Sequence, residues 1–188
     1  MHTLLTSIEM REALERISEE IVKEGRRDFA VVGIHTKGVM IAKRLKALLE
    51  QKIGKILPFG QIDISLYRDD LNKAGIEKKI KASGFEFEVD GSNILLVDDV
   101  IHTGRSVRAA MENIVDNGRP KLVKLVALID RGGRELPIEP NFIGKKVVAL
   151  ADEFVRVYLE EMDGRDEVVA LKGGTFTGGG TSAGEKQR

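Results

Sequence analysis

Hydrophobic positions along the chain switch between two periods. From residue 7 to 25, Ile8, Ala13, Leu14, Ile17, Ile21 and Val22 recur near helical spacing with charges between them, which predicts an amphipathic helix. Phe29-Ala30-Val31-Val32-Gly33-Ile34 is then a continuous apolar run of strand length and β-branched content. His35-Thr36-Lys37-Gly38 interrupts it, and Val39 to Ala42 with Leu45, Leu48 and Leu49 resumes a helical period. Gln61 to Tyr67 alternates polar and apolar side chains like a strand. The polar, lysine-rich stretch from Arg68 to Ser83 reads as a mobile excursion, a class of loop that often serves function.

The second half repeats this order. Asn93 to Val97 predicts a buried strand, Asp98 to Ser106 a loop, and Val107 to Asn117 a helix closed by Gly118 and Pro120. Leu122 to Ile129 is a further apolar strand. Such alternation predicts an α/β fold with a mostly parallel twisted sheet flanked by helices, whose ligands bind beyond the carboxyl ends of the strands. Residues 153–160 and 166–172 predict a C-terminal β-hairpin turning at Asp163-Gly164. Residues 173–188 hold six glycines and one large apolar side chain, Phe176, the composition of a flexible tail.

Composition narrows the chemistry. The 188 residues suit one domain with an ample core. With no cysteine, disulfides, thiol nucleophiles and thiolate zinc sites are excluded. Lys plus Arg and Asp plus Glu both total 30, so attraction to nucleic acid would need a local basic patch. Glu9, Arg11 and Glu12 break up the opening segment, which lacks the apolar core of a secretory signal, and no later run approaches membrane-spanning length. A cytoplasmic protein is therefore expected.

The densest chemical signal runs from Ile94 to Ser106. An apolar strand delivers two adjacent carboxylates, Asp98 and Asp99, and Thr103, Gly104 and Ser106 follow just before a helix. Gly104 lets the backbone approach an anion, the hydroxyls can donate, and the helix N-terminus offers unpaired N–H groups with a favourable dipole. A bare Thr-Gly-x-Ser also serves as an ordinary turn and cap. The acid pair argues for a ligand, because adjacent buried like charges are costly without one. Such carboxylates can accept hydrogen bonds from ribose hydroxyls and stabilise positive charge on the ring as a glycosidic bond breaks.

This stretch resembles the thirteen-residue signature of the type I phosphoribosyltransferases, which bind 5-phosphoribosyl 1-diphosphate. The likeness extends through Gly33 to Gly38, Ile62 to Leu71, Asn117 to Pro120 and Asp130 to Ile138. Together, over about residues 8–172, they resemble the PyrR family of bifunctional pyrimidine operon regulators and uracil phosphoribosyltransferases. The resemblance implies the type I phosphoribosyltransferase fold over residues 1–172, with a small hood around 130–150 beside the N-terminal helix.

It further implies conversion of uracil and 5-phosphoribosyl 1-diphosphate to UMP and diphosphate. Mg²⁺ would be held mainly by substrate oxygens, with Asp98 and Asp99 as the protein groups nearest to it. His102, Thr103, Gly104, Arg105 and Ser106 would hold the 5′-phosphate, and Asp98 and Asp99 would face the ribose. Thr36, Lys37 and Gly38 would hold diphosphate through backbone amides, in a loop that often carries a non-proline cis peptide in related enzymes. On the residues alone that loop is also a plain strand-to-helix turn. Arg68 would reach the diphosphate as its loop closes, or else is a solvated side chain. Asp130 and Arg131 would read the base, and Arg134 could serve a contact between subunits. A homo-oligomer, dimer or higher, and binding of pyr mRNA are also implied.

Four places depart from the family pattern, one of them Val147-Val148-Ala149-Leu150, which replaces the expected Ile-Pro-Thr-Ser. His102 stands for a tyrosine, Gly133 for the histidine of Arg-Gly-His-Arg-Glu-Leu, and Asn141 for an aspartate. Glu12, Glu15, Glu19 and Glu20 beside Arg11, Arg16 and Lys23 thin the basic face on which RNA would lie. A nucleotide-sensing RNA regulator of little activity and a purine phosphoribosyltransferase therefore stand as alternatives to the uracil enzyme.

Overall fold

The computed structural model describes residues 1–64, 83–148 and 152–172. The apolar runs become the central strands of a six-stranded sheet. In chain order the elements are β1 (His2–Leu5), α1 (Ser7–Lys23), β2 (Phe29–Ile34), α2 (Lys37–Ile53), β3 (Phe59–Ile62), β4 (Ser83–Phe85) and β5 (Asn93–Ile101). They continue with α3 (Arg105–Asp116), β6 (Leu122–Asp130), β7 (Phe142–Lys146), β8 (Glu153–Tyr158), α4 (Glu160–Asp163) and β9 (Glu167–Lys172). The large sheet has the order β4-β3-β2-β5-β6-β7, parallel throughout except for antiparallel β4 at one edge. A mostly parallel sheet flanked by helices is thus observed, as the alternating pattern predicts.

Every residue of β2 is buried, because helices cover both faces of a parallel sheet. One apolar layer joins α1 and α2 to the sheet through Ile17, Ile21, Ile41, Leu45, Leu95 and Val97. The other packs Val107, Ala110 and Ile114 of α3 against Ile94 and Leu96. Thr6 caps α1 in a capping box with Glu9, as its position ahead of the helical period requires.

The hairpin is observed as β8 and β9, antiparallel, joined through the short helix α4, and Gly164 takes the left-handed conformation just after it. Strand β1 adds to β9, making a second, three-stranded sheet that the periodicity does not reveal. Two further expectations are corrected. Residues 98–101 belong to β5 and not to a loop, since the ladder to β6 continues to Ile101 opposite Asp130. Residues 142–146, placed in the hood by resemblance, are an edge strand of the main sheet. The tail and most of the lysine-rich excursion lie outside the described residues.

Candidate active site

Between β2 and β5 the connections depart in opposite directions, β2 leading to β3 on one side and β5 to β6 on the other. The crevice at such a switch point is the expected ligand site of an open parallel sheet. Two loops meet there, residues 35–36 after β2 and 102–104 after β5.

The acid pair sits on β5 at the mouth of this crevice. Asp98 is 5% exposed, and its Oδ1 accepts the Asp99 N–H at 3.0 Å. Burial, and then the neighbouring Asp99 charge, push the Asp98 carboxyl well above the usual range. Burial also raises Asp99, while hydrogen bonding from Asp98 and the Val100 N–H and the positive charge of Lys37 draw it part of the way back. The site therefore stores unfavourable charge that sugar hydroxyls or a cation would relieve.

Glycines bring the first loop close to these acids. A Cβ on Gly38 would stand 2.8 Å from the Val97 carbonyl oxygen and 3.2 Å from Asp98 Cα. One on Gly33 would stand 2.5 Å from Val39 Cα, so only glycine lets α2 start so near β2 and β5. The His35–Thr36 peptide is cis. Thr36 is exposed and makes no side-chain cap to α2. The Lys37 side chain turns away, to the Val157 carbonyl and to Asp163 Oδ2 at 3.0 Å, 5.3 Å above the Tyr158 ring. What Thr36, Lys37 and Gly38 offer an anion is thus backbone, together with the Thr36 hydroxyl.

The second loop is braced by the hood. Gly104 has φ +91°, a conformation that favours glycine, and is the N-cap of α3. Thr103 Oγ1 accepts the Arg105 N–H at 3.3 Å, which leaves the hydroxyl hydrogen free to donate elsewhere. Its carbonyl receives the N–H groups of Glu135 and Leu136 at 3.0 and 3.1 Å. Ser106 is exposed in the first turn of the helix. Arg105 points outward and pairs with Glu135 at 2.7 Å, so its side chain helps tie hood to loop.

The His102 side chain is turned toward residues 131–133. Arg131 Nη1 lies 2.8 Å from its Nδ1 and 2.9 Å from its Nε2. Burial, then the Arg131 charge, lower the His102 pKa, so the ring is neutral at physiological pH and one nitrogen can accept. Arg131 Nη2 donates to the Glu153 carbonyl at 2.6 Å, and its Nε is buried with no partner among the described residues. Asp130 is 6% exposed; its Oδ1 accepts Arg134 Nη2 at 2.8 Å and the Gly132 N–H at 2.9 Å. Arg134 also donates to the carbonyls of His102 and Ile138. These contacts make Arg134 an internal brace and occupy Oδ1 of Asp130.

Residues 3–159 match the phosphoribosyl transferase domain family. Among curated proteins, the chain is 45% identical over 167 residues to the bifunctional protein PyrR of Thermus aquaticus, covering 88% of this chain and 92% of that protein. It is 46% identical over 168 residues to the PyrR of Alkaliphilus metalliredigens, with the same coverage. The chain belongs to the PyrR family of phosphoribosyltransferases. Among solved structures, the hypoxanthine phosphoribosyltransferase of Trypanosoma cruzi superposes with a TM-score of 0.69 at 17% identity, over 92% of this chain and 97% of that one. A Staphylococcus aureus hypoxanthine phosphoribosyltransferase gives 0.66 at 20% identity, over 91% and 92%. At those identities the likeness is one of fold.

Within this PyrR-family chain the structure brings together Thr36 to Gly38, Asp98, Asp99 and the 102–106 loop, with Asp130 and Arg131 behind the latter. Arg68 lies outside the described residues. Asn141, one of the departures, acts locally. Its Oδ1 accepts the Leu125 N–H at 2.9 Å and its own N–H reaches the Leu125 carbonyl at 2.8 Å, docking the start of β7. It thus lends no support to a purine specificity. The sequence does not mark Arg134 and Glu135 as braces of the hood, since only the fold shows which carbonyls they face.

Proposed function

We propose that the chain transfers the phosphoribosyl group of 5-phosphoribosyl 1-diphosphate to uracil, giving UMP and diphosphate. The observation that carries this reading is the acid pair of β5, buried Asp98 beside part-buried Asp99, flanked by two loops whose glycines bring bare backbone to the same crevice. In this reading the amides and hydroxyls of Thr103 to Ser106 hold the 5′-phosphate, and those of Thr36 to Gly38 hold the leaving diphosphate. Asp98 and Asp99 accept the ribose hydroxyls and stabilise the positive charge that grows on the ring as the C1–O bond to diphosphate breaks. Uracil nitrogen then bonds to that carbon and its proton passes to solvent or diphosphate. Arg131 faces the base, and Arg68 is assigned to the diphosphate by family likeness.

Mg²⁺ fits the donor set in a limited way. Asp98 and Asp99 offer adjacent hard oxygens, while no group of three or more acidic or histidine ligands occurs among the described residues. Most of the ion's ligands would thus come from substrate and water. When bound, it supplies charge neutralisation of the diphosphate. The test is uracil-dependent diphosphate release, which D98N combined with D99N should lower by at least about 100-fold. Undiminished turnover in that variant would remove the acids from the reaction.

Relatives of this family are called bifunctional, and the regulatory half is proposed for this chain in weakened form. Arg16 of α1 is committed to the carbonyls of Ile143 and Gly144, and Lys52 of α2 pairs with Glu15 and Glu19. Fewer cations are then left for phosphate contacts. A gel-shift titration with pyr leader RNA should show retardation that needs UMP and fades as salt rises. No retardation at low salt would confine the chain to catalysis.

A further inference from the structure

Two of the departures from the family pattern, His102 and Gly133, lie against each other. Gly133 has φ +72°, and a Cβ there would stand 2.8 Å from His102 Nε2 and 3.0 Å from its Cδ2. The imidazole therefore occupies space that any side chain at 133 would contest. From that seat it meets Arg131 Nη1, while the Glu153 carbonyl holds Nη2. The guanidinium is thus held at both terminal nitrogens, and its buried Nε is left without a partner among the described residues.

We propose that His102, seated against Gly133, is a positioning residue for nucleobase recognition, acting through Arg131 rather than on the 5′-phosphate. The inference rests on the reading that Arg131 faces the base. Only a neutral imidazole can accept the Arg131 N–H. The charged groups facing the ring are Arg131 and Arg134, which disfavour its protonation, and Glu135, which favours it. Glu135 is itself paired with Arg105. Protonation would set a cation against the Arg131 guanidinium and release it. Because the His102 pKa is lowered, uracil affinity should weaken only as pH falls through a value below the ordinary histidine pKa of about 6.5, while affinity for 5-phosphoribosyl 1-diphosphate follows its own profile.

The experiment measures KM for uracil and for 5-phosphoribosyl 1-diphosphate with the full chain between about pH 5 and pH 8. The proteins are wild type, H102L, H102Q, R131M and the double variant H102L with R131M. H102L should raise the uracil KM by about tenfold, the worth of a hydrogen bond to a charged group, and shift the cosubstrate KM by less than about twofold. H102Q keeps an uncharged acceptor at every pH. It should restore most of the uracil affinity at neutral pH and lack the acid rise seen in wild type. The double variant should be no worse than R131M, because both lesions act through one guanidinium.

An unchanged uracil KM in H102L, or equal loss for both substrates, overturns the proposal. So does one acid limb shared by wild type and H102Q. If R131M leaves uracil KM unchanged, it is the base-facing role of Arg131 that fails, and absence of uracil turnover in wild type overturns both. Loss in R131M without loss in H102L rejects His102 alone.

Discussion

Asp98 shows how a site can be built against stability. Its folded pKa lies above the unfolded one, so the stability it confers is full below the ordinary aspartate value of about 3.9 and is lost as pH rises through the folded value. At neutral pH the acid pair is therefore a burden, and D98N should melt higher than wild type. For a chain of this size each kcal/mol relieved corresponds to about 2–4 °C. Thermal melts of the ligand-free proteins check this; the gap should shrink in acid, and a variant that melts lower at neutral pH would show the carboxylate to be stabilising. The pair could be read from the sequence because two acids after an apolar strand conflict with burial unless a ligand answers them. The contact of His102 with Gly133 could not, since the residues are far apart in the chain and no local period relates them. Each substitution alone looks like a loss, and only the fold shows that one makes room for the other.

Helix α2 starts at the loop after β2, and its outer face is fastened to the C-terminal sheet. Arg44 Nη2 reaches Glu161 at 2.6 Å and Asp166 at 2.7 Å, with further bonds from Nε and Nη1. Those acids raise the arginine's pKa and fall below the usual carboxylate range themselves, as partners in a half-buried network do. R44A should lower stability by about 2 kcal/mol, read as a lower urea midpoint with an unchanged slope. R44K should recover little, because a point charge cannot replace two forked contacts. An unchanged midpoint would show that the C-terminal sheet is held by its apolar contacts alone. The same contrast governs what the sequence discloses of each element. β2 and β6 lie in the interior of the parallel sheet and read as apolar runs. β1, β4 and β7 are short edge strands with polar or glycine content, stabilised by partners remote in the chain. β5 extends through its two acids because its ladder with β6 outweighs their polarity, which a local reading takes for the start of a loop.

The chain carries equal numbers of positive and negative side chains, and among the described residues several of them meet in pairs. Lys52 takes Glu15 and Glu19, Lys124 takes Glu24, Arg105 takes Glu135, and Arg44 takes Glu161 and Asp166. Net neutrality is thus compatible with phosphate chemistry done by backbone amides, hydroxyls and a few placed side chains. Among the described residues no helix is long and apolar enough to cross a membrane. Asn141 is structural, bonded to Leu125 at the start of β7, while His102 and Arg131 face one another beyond the far end of β6. The most direct measurement is therefore diphosphate release from 5-phosphoribosyl 1-diphosphate with Mg²⁺ and, in turn, uracil, hypoxanthine, guanine and orotate. Turnover with uracil and none with the other three is the predicted result. Turnover with a purine in preference to uracil, or with none of the four, would contradict it.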